Sequence, residues 1–209
     1  MIASPTSRAL FVHVQKTGGL TVEALMRQHL PDAKEVTGLS GGKHATMAAA
    51  LRRDPDLADY WTFGFVRNPW ARLYSWWAMI VRRDQTATEG SESVQAKLRR
   101  NPFWRKVISD HQTFESFVLL GPDDFGRLRV PQLDYLRTPL RRADFIGRTE
   151  NFDEDLRAAF EHLGLPPPEQ VPRNNAGPPT DYRDHYTPVM RRKVERLFQA
   201  DIEAFDYSF

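Results

Sequence analysis

Three short apolar runs, each leading through turn residues into a stretch with helical periodicity, constrain the fold of this chain most. Ala9 to Val14 (ALFVHV) is rich in β-branched and aromatic residues and has no period-2 alternation, which suits a central strand covered on both faces. It leads through QKTGGLT into a pattern with Val22, Leu25, Met26 and His29 on one helical face. Tyr60 to Val66 (YWTFGFV) is the second run. Asn68-Pro69 follows as an N-cap and first-turn pair, and Trp70, Leu73, Tyr74, Trp77 and Val81 then recur at helical spacing. Ala143 to Gly147 (ADFIG) is the third. Asn151 and Glu154 resemble a capping box there, ahead of Leu156, Phe160 and Leu163, with Gly164 as the stop. Thr187-Pro188 opens a last helix carrying Met190, Val194, Leu197, Phe198, Ile202 and Phe205. Strands alternating with helices predict an α/β fold with a mostly parallel sheet. Residues 82–110 lack a clean period and residues 166–179 are Pro-rich, so both are expected to be irregular surface segments.

Composition narrows the function. The 209 residues, 41% hydrophobic and 27% charged, fit one globular domain, and no repeat or linker divides them. Lys+Arg exceeds Asp+Glu by two, 29 against 27, which is too little to mark a nucleic-acid binder. Zero Cys excludes disulfides, thiolate zinc sites and a cysteine nucleophile. No apolar run approaches a signal core or a membrane span, so a soluble, cytoplasmic protein is expected. Aromatic residues make up 11%, with five Trp.

Two segments can carry chemistry. In Gln15-Lys16-Thr17-Gly18-Gly19-Leu20-Thr21 the glycines let successive N–H groups converge, the following helix adds its positive end, and Lys16 adds a full charge. Spacing alone does not separate such an anion cradle from an ordinary βα turn. It is not a nucleotide-triphosphatase loop, because Lys16 precedes the glycines. Gly41-Gly42-Lys43-His44 fails that pattern too, with Thr37 and His44 where Gly and Ser/Thr should stand. In the second segment, Phe65 to Ser75, Arg67 ends a predicted strand, where open α/β sheets bind ligands, and Arg is the preferred bidentate partner of phosphate. Ser75 lies two helical turns beyond Asn68. Taken alone, this segment reads as a capped core helix.

Together the two segments resemble one family. FVHVQKTGGLT is similar to the FxHxPKTGGT/S loop of sulfotransferases that use 3′-phosphoadenosine 5′-phosphosulfate (PAPS), and FGFVRNPWARLYSWW resembles their FxFVRNPWxRLxSxY segment. KHAT (Lys43 to Thr46), QLDYL (Gln132 to Leu136), FIGRTENF (Phe145 to Phe152) and the closing DIEAFDY (Asp201 to Tyr207) resemble further blocks in the family's order. The resemblance spans roughly residues 10 to 209, leaves 82–110 unmatched, and points to the carbohydrate-type branch, sulfotransferase family 2. Three positions depart from the pattern: Gln15 for Pro, Leu20 for Thr/Ser, and Asp206 for Gly.

The resemblance implies a P-loop-like three-layer fold in a single domain over 1–209, with a central mostly parallel sheet flanked by helices. It implies PAPS as donor, PAP as product and no metal. The backbone of Thr17, Gly18, Gly19, Leu20 and Thr21 would cradle the 5′-phosphosulfate, Lys16 would neutralise the departing phosphate oxygen, and Arg67 with Ser75 would hold the 3′-phosphate. His44, in the KHAT block where similar enzymes place their base, is the expected general base; His13 is expected to be structural. Gln132 and Asn175 are candidates to face the acceptor or the cofactor. That acceptor is expected to be a hydroxyl of a saccharide or glycolipid, selected by 82–110 and 166–186. Arg148 and Glu150 are further candidates, against a structural ion pair. Two rivals stay open: a nucleotide-dependent phosphotransferase with a degenerate phosphate loop, and a non-catalytic anion- or glycan-binding protein.

Overall fold

The computed structural model describes residues 1–166, Pro168 and 181–209. Along the chain come β1 (Ile2–Ser4), β2 (Ala9–Val12), α1 (Gly19–His29), β3 (Lys34–Glu35), α2 (Met47–Arg53) and β4 (Trp61–Val66). A run of helices follows: α3 (Pro69–Thr88), α4 (Glu92–Arg100), α5 (Pro102–Asp110), α6 (Phe114–Leu119), α7 (Gly121–Asp124) and α8 (Gln132–Tyr135). The chain ends with β5 (Phe145–Arg148), α9 (Phe152–His162), α10 (Pro188–Leu197) and α11 (Gln199–Phe205). Among the described residues no helix is long and apolar enough to cross a membrane. The chain forms two compact units, one from Met1–Arg67 plus the segment that begins at Gln132, the other from Asn68–Pro131 plus the C-terminal helices.

The first unit holds the sheet, in the order β3-β1-β2-β4-β5. β2, β4 and β5 run parallel, with Val12 opposite Gly64 and Val66 opposite Arg148. β1 returns antiparallel to β2, and β3 antiparallel to β1. The all-apolar composition of β2 is explained by complete burial of its four residues. Phe11, Phe63 and Phe65 lie in one cluster with Val22, Leu25 and Met26 of α1 and Leu156, Ala159 and Phe160 of α9. On the opposite face, Gly64 lets Leu136 approach so closely that an added Cβ would fall 2.4 Å from its Cδ2. The first strand stops at Val12, two residues earlier than its apolar run, because the Val14 N–H turns back to the Val12 carbonyl at 3.2 Å. His13 and Val14 therefore belong to the loop.

The second unit is helical around the aromatic face of α3. Trp70, Leu73, Trp76 and Ile80 pack with Phe103, Val107, Phe117, Met190, Val194 and Phe198. Asn68 caps α3 as expected, its Oδ1 accepting from the N–H groups of Trp70 and Ala71 at 3.1 and 3.4 Å. Thr187 caps α10, accepting from Met190 N–H.

Several expectations need correction. Residues 82–110 are not irregular: α3 continues to Thr88, and α4 and α5 follow. Their period was obscured because α4 is almost wholly polar, with Leu98 its one buried residue, and because Asn101-Pro102 restarts the helix with a new cap. Asn151 makes no side-chain cap; a 3-10 turn, Thr149–Asn151, leads into α9 instead. The last helix is two helices, interrupted at Phe198. Asp206, where the resembling family has Gly, holds a left-handed conformation (φ 50) as the C-cap of α11, a position where Gly is the default and Asp is tolerated. Most of the Pro-rich segment, Asn175 included, lies outside the described residues.

Candidate active site

The C-terminal ends of β2, β4 and β5 share one edge of the sheet, and a basic residue follows or ends each: Lys16, Arg67 and Arg148. This is the edge at which open α/β sheets bind ligands. After β2 the chain turns sharply. Lys16 adopts φ 71 and Gly18 φ 80. A non-glycine residue in this region costs on the order of 1–3 kcal/mol and is concentrated at functional sites. The turn delivers the chain into α1 with Gly18 as N-cap, a residue with no side chain to satisfy the first N–H groups of the helix. Thr21 N–H bonds back to Gly18 O at 2.9 Å, and Thr17 Oγ1 donates to Val14 O at 2.9 Å, bracing the loop from inside. Leu20, which replaces a hydroxyl residue of the resembling family, is 44% exposed, whereas Thr21 is buried. The result is a positively charged loop with a helix N-terminus open behind it, suited to an anion.

Both glycines are sterically required. A Cβ on Gly19 would stand 2.2 Å from His13 Cδ2, and one on Gly18 would stand 2.6 Å from Phe152 Cε2. His13 thus lies against the first residue of α1. Its Nδ1–H donates to Glu23 Oε1 at 2.7 Å, and Glu23 sits one turn along α1 from Gly19, on the same side of the helix. The Met1 amino group also donates to Glu23 Oε1, at 3.2 Å. Burial opposes ionisation of Glu23, yet the His13 hydrogen bond and charge, with the Met1 amino group, hold its pKa at about 2. Burial pushes the pKa of His13 down.

His44 closes this cluster. It ends the 3-10 turn Gly42–His44, just before Thr46 caps α2 by accepting from Ala49 N–H. Its Nδ1 lies 3.1 Å from the His13 carbonyl oxygen. A carbonyl can only accept, so Nδ1 carries the proton and Nε2 presents a bare lone pair. The two rings meet edge to face, 4.4 Å between centroids. Burial, then the nearby His13 and Lys43, lower the His44 pKa to about 3. His44 is therefore a neutral, oriented imidazole.

A sulfotransferase family model matches residues 1–208. The chain belongs to the sulfotransferase family. No curated protein and no solved structure matches it.

Within this sulfotransferase, the first unit joins the turn of Lys16, Thr17 and Gly18 to Gly19, Leu20 and Thr21 in the first turn of α1, and sets Arg67 just past the end of the neighbouring parallel strand. Gln132 holds the Arg67 main chain. It is fully buried; its Oε1 accepts from Arg67 N–H at 2.9 Å and its Nε2 donates to Arg67 O at 2.7 Å. Its amide extends the ladder by one side chain and fixes the Arg67 backbone. Ser75 is half-buried on α3, in the second unit. Arg148 ends β5, with its N–H bonded to Asp155 Oδ2. Trp70 and Trp76 are core residues, 4% and 3% exposed, while Trp61 stacks on His162, 4.1 Å between centroids, at the start of β4 and not beside Arg67. Glu23 was not anticipated. The only sequence signal for it is its spacing of four from Gly19, which identifies a helix face but not a carboxylate meeting a histidine.

Proposed function

We propose that this sulfotransferase transfers a sulfuryl group from PAPS to a hydroxyl of a saccharide or glycoconjugate, on a P-loop-like three-layer fold acting as one domain over 1–209. The observation that carries the reading is the left-handed turn at Lys16 leading into the uncapped N-terminus of α1, on the strand next to the one Arg67 ends. A loop with backbone N–H groups, a helix N-terminus and a lysine is chemically fitted to a phosphosulfate.

PAPS, when bound, supplies an electrophilic sulfur and a phosphate leaving group. Each residue then has a task. The amides of Thr17 to Thr21 orient the 5′ end, and Lys16 offsets the negative charge that grows on the leaving oxygen, the largest kind of catalytic contribution. Arg67 and Ser75 hold the 3′-phosphate, Arg67 through its bidentate fork. His44 takes the acceptor hydroxyl proton on Nε2, the nitrogen its Nδ1 bond leaves bare. Its low basicity in the unliganded protein rises when a polyanion sits nearby, since negative charge favours imidazolium.

The saccharide acceptor rests on the resemblance of the Lys16 and Arg67 segments to carbohydrate-type sulfotransferases.

The test is direct. Isotope-labelled PAPS is offered to a panel of acceptors with the wild type, Lys16→Ala and Arg67→Ala, while calorimetry compares PAP with ATP. Both variants should stay folded and lose at least about a hundredfold in turnover, as removal of a charge-stabilising donor does. Near-normal turnover in both, or Mg²⁺-dependent ATP binding in preference to PAP, overturns the reading.

A further inference from the structure

Beneath the Lys16 turn a carboxylate of α1 meets a histidine. That carboxylate is Glu23, one turn along α1 from Gly19. Its side chain is 14% exposed and engages His13 at 2.7 Å. His13 is 3% exposed and meets three elements at once. Its ring abuts Gly19 at the start of α1, its Nδ1–H is held by Glu23 from the next turn of α1, and its carbonyl and ring edge hold His44. His13 also lies just past the last residue of β2, where the ladder no longer fixes the backbone. The Glu23 bond fixes the His13 ring, and the turn from Val14 N–H to Val12 O holds the backbone whose carbonyl dictates the His44 tautomer.

We propose that Glu23 is a positioning residue for the base. It clamps His13, and His13 in turn keeps His44 as the Nδ1–H tautomer with Nε2 free for the acceptor proton. The clamp rests on the reading of His44 as base; the effect on the His44 ring does not. The arrangement follows the general logic in which a carboxylate orients a histidine that handles the proton, with a backbone carbonyl inserted as the intermediate link. It also ties the base to α1. The helix whose N-terminus receives the donor is the helix that carries Glu23, so the donor loop and the base share one rigid support.

The charged and titratable groups around His44 and His13 are Glu23, Lys43 and the Met1 amino group, with Glu35 near the last. Lys43 is therefore left intact in the experiment.

Glu23→Gln keeps an acceptor for the His13 N–H, and Glu23→Leu removes it. Nitrogen-15 NMR of labelled histidine reads the His44 tautomer directly, without need of turnover. In the wild type and Glu23→Gln, Nδ1 should be protonated and Nε2 bare. In Glu23→Leu the two tautomers should mix. With an acceptor in hand, kcat should fall about 10- to 100-fold in Glu23→Leu, as loss of an orienting partner does, with the PAP Kd within about twofold of wild type and much of kcat restored in Glu23→Gln. An unchanged His44 tautomer in a folded Glu23→Leu protein overturns the clamp, as does a loss confined to thermal stability. If Glu23→Leu fails to fold, His13→Asn, which removes the ring while keeping the carbonyl, takes its place; an unchanged tautomer there overturns it equally. Wild-type protein that binds no PAP overturns the function proposed above, and the tautomer measurement still decides the clamp.

Discussion

The side-chain amide of Gln132 grips the Arg67 main chain at both ends, accepting from its N–H at 2.9 Å and donating to its carbonyl at 2.7 Å. A fully buried glutamine thus serves as an extra rung of the ladder at the point where β4 ends, and the arginine emerges from a backbone fixed on both sides. Gln132→Leu fills the space and removes both bonds. It should cost about 2–4 kcal/mol, since two buried backbone groups lose partners, and should weaken PAP binding. Chemical denaturation and calorimetry on the same sample check both effects; a stable variant with weakened PAP binding would show that the grip matters for Arg67 alone.

Gly19→Ala and Leu20→Ala make a matched pair on one loop. A methyl at Gly19 would meet His13 at 2.2 Å and force it away from Glu23, a clash of the overpacking kind worth about 1–3 kcal/mol. Leu20 is 44% exposed, so its truncation should change stability by less than about 0.5 kcal/mol. Thermal melts of the two variants should differ by several degrees. Equal melts would mean that His13 can move freely.

Acid should destabilise the protein through His44. Its pKa is about 3 in the folded state against 6.5 for the free side chain, so below pH 6.5 the unfolded chain takes up a proton that the folded chain refuses. Stability is then whole above pH 6.5 and declines as pH falls toward 3, by roughly 1 kcal/mol at the first unit of acidification. Glu23 adds a second loss below its free value of 4.5, continuing to about 2. Melting temperatures at pH 7.5 and 5.5 should separate in the wild type and converge partly in His44→Gln. An equal separation in the variant would assign the acid sensitivity elsewhere.

Asn68→Ala removes more than a helix cap. Its Oδ1 serves two N–H groups at the start of α3, and its Nδ2 donates to Ser208 O at 2.7 Å. The expected cost is about 2 kcal/mol, at the upper end for a cap, against about 1 kcal/mol for Thr46→Ala at α2. Urea titrations of the two variants give the comparison.

The parts legible in the sequence are those where one local rule decides. An unbroken apolar run marked β2, an aromatic-rich one marked β4, and Asn68-Pro69 and Thr187-Pro188 marked helix starts. β1 and β3 are short, and their pairing with each other and with β2 defines them more than their own residues do. α4 escaped notice because its lone buried residue, Leu98, cannot set a period. Lys16 and Arg67 stood out through the family resemblance of their two segments, since neither segment alone separated a ligand site from an ordinary turn or a capped core helix. The bond between Gln132 and Arg67 was not legible, since a buried amide bonding a backbone 65 residues away leaves no periodic trace. Glu23 was missed for the same reason.

The antiparallel return of β1 gives the ligand-binding edge a direction. β3, β2, β4 and β5 all end on it, while β1, lying between β3 and β2, only begins there. Read across, the edge carries the turn that ends in His44, then the Lys16 loop, then Arg67, then Arg148. Neighbouring strands stand about 4.8 Å apart, so the backbone itself sets the spacing between the His44 turn and the cations. The order of these groups along the edge follows the strand order, and exchange of a loop side chain leaves it unchanged.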